Sequence, residues 1–168
     1  VTKYTIIRQE LTATDKIIGF LISPMISGLL IMMIIGGIYF EMQTPGIGFP
    51  LGIAVLGAVL YFAPFYLEGL AAHWEILLFF AGLILILVEI FVIPGFGFTG
   101  VTGIVAVFAS LVLSMVGNDG LDFSFNYGQS LTMAVAVVII ASFVGLASAI
   151  YGAQKLLTTS RINHLALN

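Results

Sequence analysis

Between Lys16 and Lys155 the chain contains no lysine and no arginine. A soluble domain interleaves charges of both signs over its surface, at about a quarter of all residues. Here charged residues are 8% of the 168 and apolar ones 61%. A stretch so long without a cation finds its solvent in lipid, and residues 15–154 therefore read as one transmembrane domain. The net charge of -3 leaves no basic stripe, which excludes a nucleic-acid role. The absence of cysteine excludes thiol nucleophiles, disulfides and cysteine metal ligands. Residues 1–14, "VTKYTIIRQELTAT", are polar and lack the plan of a signal peptide; they read as an exit segment from an upstream domain. Residues 155–168 read as a tail leading to a downstream one.

Apolar length and the Pro and Gly punctuation divide the interior into an all-α fold of about five spans. Thr14 or Asp15 is expected to cap a short interfacial helix over 17–23, and Pro24 suits the first turn of the next helix. The spans are expected near 24–40, 50–67, 72–93, 101–116 and 130–153. "FYLEGLAAHWE" forms an interfacial turn with Tyr66 and Trp74 at aromatic-belt depth, and "GNDGLDFSFNYG" a water-facing loop. Three basic residues precede the first span and two follow the last, a difference too small to orient the chain.

Within this background one device occurs twice. "EMQTPGIGFPLG" begins at Glu41 and "EIFVIPGFGFTG" at Glu89; Pro45, Gly46, Gly48 and Phe49 align with Pro94, Gly95, Gly97 and Phe98, 49 residues later. Each copy joins two spans, so the copies form two parallel helical-hairpin repeats with both turns on one side. Proline stops the first helix, the glycines admit a left-handed turn and close approach, and Phe returns to the apolar layer. The motif reads either as a tight membrane turn or as a recognition surface, and the two are compatible.

Glu89 stands one turn inside a span, where a charge needs a partner. The candidates are backbone N–H groups of a Pro-Gly turn, the hydroxyls of Thr44, Thr99 and Thr102, or a base on another chain; the preferred one is a cap on the sister turn. No "GxSxG" elbow accompanies the serines. His73 and His164 lack the spaced carboxylates of a metal site, so no catalytic residue, metal or cofactor is expected within these residues. In the last span Ala141, Gly145, Ala149 and Ala153 recur at four-residue spacing, a flat strip for close helix packing, within the chain or in a homo-oligomer.

"DKIIGFLISP", "GGIYFEMQTPGIGFPLGIAVLGAVLYFAP" and "WEILLFFAGLILILVEIFVIPGFGFTGVTGI" resemble the membrane region of the NfeD (nodulation formation efficiency D) family in its long bacterial form. The resemblance covers about 15–116 and is specific in both "E…PGxGF" copies. It implies an upstream Clp-like serine peptidase domain with a Ser–Lys dyad, carried by no residue here, and a downstream β-barrel. It also implies a stomatin/flotillin-type (SPFH) scaffold as partner, beside the lipid bilayer. The location implied is the bacterial inner membrane, with the N-terminus outside and the C-terminus and both turns cytoplasmic. The function expected is a membrane anchor and scaffold-docking domain. The alternatives are a small ion or proton transporter or channel subunit using Glu41 and Glu89, and a complete subunit of another membrane machine.

Overall fold

A computed structural model describes residues 12–44, 46, 48–92, 97–117 and 131–165. The exit segment up to residue 11, Pro45, Ile47, residues 93–96 with Pro94 and Gly95, the loop 118–130 and residues 166–168 lie outside the described residues. Six helices follow in order: α1 (Ala13–Ile22), α2 (Pro24–Gln43), α3 (Phe49–Leu67), α4 (His73–Phe91), α5 (Phe98–Val116) and α6 (Leu131–Leu165). No strand occurs among the described residues. In hydrocarbon every backbone N–H and C=O must be satisfied within its own segment, and an apolar run of this length meets that demand only as a helix.

α2, α3, α5 and the first 26 residues of α6 are long and apolar enough to cross a membrane. α4 has 19 residues and lies antiparallel along α5 from Glu89 beside Gly100 to Gly82 beside Val107. Where α5 crosses, α4 crosses with it. The chain is a polytopic all-α membrane protein.

Glycines set the helix separations. A Cβ built on Gly37 would lie 2.5 Å from the Pro50 carbonyl oxygen, and one on Gly57 3.2 Å from that of Leu30, so α2 and α3 are antiparallel and close. α6 runs parallel to α2, with Gly28 against Val137, Gly36 against Gly145, and Gly152 against the Phe40 ring. The hairpins α2–α3 and α4–α5 meet at the end away from their turns. There the Tyr61 hydroxyl donates to the Leu111 carbonyl at 2.5 Å, and the rings of Phe62 and Phe79 pack edge-on at 5.1 Å. Tyr61, Phe65, Phe79, Leu111 and Met115 are fully buried there and form the centre of the core.

Two boundaries differ from the sequence reading. α1 begins at Ala13, earlier than expected, because Thr12 rather than Thr14 or Asp15 is the N-cap. Asp15 sits three residues on: its carboxylate accepts from the Thr12 N–H at 2.8 Å while its own N–H donates to the Thr12 hydroxyl at 3.3 Å. This is a reciprocal capping box, and it draws the polar lead-in into the helix. The tail expected from 155 onward continues α6 to Leu165, since nothing after Ala153 in that stretch is a Pro or Gly to stop it.

Candidate functional site

The two turns sit at the same end of the bundle, and in each a carboxylate holds the loop by its backbone. In the first, Glu41 Oε1 accepts from the N–H groups of Gly46 at 3.2 Å and Gly48 at 3.1 Å, and Oε2 accepts from Gly48 at 3.0 Å. In the second, Glu89 Oε1 accepts from the Gly97 N–H and Oε2 from the Gly100 N–H at 3.1 Å. A helix start exposes four N–H groups with no partner inside the helix. A carboxylate placed on them satisfies two and compensates its own desolvation.

Each glutamate thus caps its own turn and not its sister's. The reason is reach: the amides of its own turn arrive within five to eleven residues of the carboxylate. Two of the three candidate threonine hydroxyls are otherwise engaged. Thr44 Oγ1 donates to Phe40 O at 2.9 Å and Thr102 Oγ1 to Phe98 O at 2.7 Å.

Both copies keep one register. In the first hairpin Gly37 opposes Ala54; the positions 49 residues on are Ile86 and Gly103, and a Cβ on Gly103 would lie 2.9 Å from the Ile86 N. The same crossing is kept while the glycine changes sides. The glutamates do not obey that offset, because Glu89 is the counterpart of Phe40 and not of Glu41. One residue along a helix turns a side chain by about 100°. Glu89 therefore points into its hairpin and is 4% exposed, while Glu41 is half-buried. Gly100 is what admits Glu89, since a Cβ there would lie 2.8 Å from Glu89 Cγ. Its counterpart in the first copy is Leu51.

Gly100, Gly103, Gly37 and Ala54 were not singled out by the sequence reading, although Gly97, Gly100 and Gly103 recur every third residue and so share one face of α5. Phe49 and Phe98 open α3 and α5 and are 72% and 86% exposed. Gly46 and Gly48 have φ of 99° and 72°, left-handed values that glycine adopts readily, whereas Gly97 is extended at φ -117°.

The small-residue strip lies at the side. Ala141, Ala149 and Ala153 are buried, and a Cβ on Gly145 would stand 2.8 Å from the Met32 carbonyl oxygen. The helix they meet is α2. His73 shares a 2.8 Å hydrogen bond with the Tyr66 hydroxyl at the α3–α4 connection. Glu75, fully buried, accepts from the Ala72 N–H at 2.5 Å. No group of three or more metal-ligating side chains is assembled among the described residues. At the opposite end of the molecule, the Thr12 hydroxyl and then its N–H hold the Asp15 carboxyl below the ordinary value of 3.8.

Comparison with known proteins agrees with this architecture. A curated relative, membrane protein NfeD1b of Bacillus subtilis (strain 168), is 43% identical over 68 residues, which cover 40% of this chain and 15% of that protein. No solved structure matches significantly. The NfeD integral membrane domain matches residues 25–152, from the first turn of α2 into the middle third of α6. The match takes in both hairpins, both capped turns and all of the small-residue strip but Ala153, and the chain belongs to the NfeD family.

Proposed function

We propose that this domain is a membrane anchor and docking module whose two capped turns present a contact surface to a stomatin/flotillin-type SPFH scaffold. One observation supports the reading: the turns, fixed by Glu41 and Glu89 at the same end, each hold out a Phe that no part of the described fold covers. A side chain of that size, exposed at the start of the helix that follows its turn, is the kind of anchor that interfaces concentrate around. In this reading both turns face the cytoplasm, the N-terminus is outside, and the membrane is a bacterial inner membrane. The intact protein would also carry a Ser–Lys peptidase upstream, which this domain would hold at the outer face. The carboxylates are turned onto backbone amides, an arrangement that supports a structural cap over an ion path.

Phe49→Ala and Phe98→Ala test the docking role without touching the caps. Co-purification of an SPFH scaffold from membranes is expected to fall in each and to vanish in the double variant. Undiminished recovery from the double variant, at unchanged expression, would discard the proposal.

A further inference from the structure

α3 and α4 are consecutive, yet beyond their connection they diverge. Between them and α2 they leave a cleft of about 320 Å³. Val55, Val59 and Ala63 of α3 and Ile76, Phe80 and Leu83 of α4 line its sides, and no polar side chain contributes to the lining. Apolar cavities stay dry. This one lies among helices that cross the membrane, so its natural filling is hydrocarbon.

The two walls lead to one polar pair. Tyr66 follows Val59 by seven residues and Ala63 by three; His73 precedes Ile76 by three and Phe80 by seven. At helical spacing both therefore stand on the cleft-facing stripes of their helices. There the Tyr66 hydroxyl and His73 Nε2 are 2.8 Å apart, with their rings edge-on at 5.0 Å, and both residues are exposed. Glu68, exposed, ends α3 between them.

The Tyr66–His73 hydrogen bond uses one proton of the pair, which leaves the donor remaining on it for a phosphate, and Glu68 offers a carboxylate to an ammonium. The α3–α4 connection itself, residues 66–75, has no lysine or arginine. Such a set complements a headgroup bearing both charges better than one with a net negative charge. We propose that the α3–α4 cleft binds one acyl chain of a zwitterionic aminophospholipid, its phosphate at Tyr66 and His73 and its ammonium at Glu68.

Trp74, the one tryptophan of the chain, adjoins His73 and reports occupancy. The full chain in detergent micelles is titrated with phosphatidylethanolamine brominated on its acyl chains. Trp74 fluorescence is expected to fall to a plateau near one lipid per chain, and brominated phosphatidylglycerol to require about tenfold more lipid. Val55→Phe and Ala63→Phe fill the cleft from exposed positions, so either is expected to abolish the plateau at unchanged helicity. Tyr66→Phe removes one headgroup hydrogen bond and should weaken the phosphatidylethanolamine plateau about threefold. Quenching that rises linearly without saturation, equal response to the two lipids, or a plateau surviving both filled variants would overturn the proposal. So would a stoichiometric polypeptide retained by the purified chain in place of lipid.

Discussion

The two turns solve one problem at different depths. Glu41, half-buried, ties Gly46 and Gly48 into a loop whose glycines take left-handed angles. Glu89, nearly sealed, reaches Gly97 and Gly100 across the hairpin, with Gly97 in extended backbone. The Pro-Gly-x-Gly-Phe spacing and the register of the crossings are the same, while the glutamate moves by one residue. That single step rotates the carboxylate from the rim to the interior, and Gly100 replaces a leucine to make room. The first turn is held mainly by glycine geometry and the second mainly by the buried carboxylate.

The largest difference between them should come from removing the carboxylates. Glu89→Ala leaves the N–H groups of Gly97 and Gly100 without their acceptor, that of Gly100 in a buried site, and a charged acceptor of that kind is worth about 3 kcal/mol. Glu41→Ala exposes its loop amides to water and should cost about 1 kcal/mol, as an ordinary helix cap does. Unfolding by dodecyl sulfate in mixed micelles, followed by helicity, measures both. Equal losses would break the distinction between a buried and a rim cap.

Next in size is the exchanged glycine. Gly103→Ala sets a methyl 2.7 Å from the Gly82 carbonyl oxygen and 2.9 Å from the Ile86 N, so backbone must shift, at about 2 kcal/mol. Ile86→Gly in the same chain recreates the Gly37–Ala54 arrangement of the first hairpin on the Ile86 side. It should relieve the 2.9 Å contact with Ile86 Cγ1 while leaving those with the residue-86 N and the Gly82 carbonyl oxygen. A double-mutant cycle is expected to show coupling between positions 86 and 103 of about 1 kcal/mol. Strict additivity would mean that the shared register does not reflect shared packing.

Smaller again is the effect of backbone angle. Gly48→Ala forces a Cβ into φ 72°, a loss of about 1 kcal/mol, although open space surrounds the position. Gly97→Ala meets no left-handed penalty at φ -117°. The same unfolding titration should rank Gly48 above Gly97 for this substitution, the reverse of the order for the two glutamates.

The sequence displayed the spans plainly because apolar length and Pro24, Pro50 and the Pro-Gly pairs mark helix limits wherever backbone must be satisfied locally. The repeated turn was equally visible. What stayed hidden was rotational: Glu41 and Glu89 look interchangeable in an alignment centred on Pro-Gly, and a one-residue offset has meaning only once the facing helix is present. For the same reason the preferred partner of Glu89, the sister turn, was the wrong acceptor set. The Gly37–Ala54 and Ile86–Gly103 crossings were hidden too, since two small or apolar residues 17 positions apart give no sign that they touch. α1 differed because Thr12-x-x-Asp15 is a capping box, and a reciprocal pair of bonds outweighs the nearness of Thr14 to the apolar run.

That capping box extends the comparison to its wettest limit. Asp15 does for Thr12 what Glu41 and Glu89 do for their glycines, but it is fully exposed, so hydration competes with every bond it makes. Its carboxyl is held below 3.8, first by the Thr12 hydroxyl and then by the Thr12 N–H. A carboxyl whose folded pKa is depressed stabilises the fold above its unfolded pKa and loses that contribution as the pH falls through the folded one. The cap should therefore be intact at neutral pH and open only below pH 3.8. A nuclear magnetic resonance titration of the Thr12 amide should show this midpoint. Thr12→Val deletes the larger of the two causes and should move the Asp15 midpoint back up toward 3.8 without changing helix α2. If the midpoint stays where it was, the backbone N–H alone sets the cap. The exposed carboxylate would then work as the two at the turns do, by amides only, and depth would be the one variable separating all three.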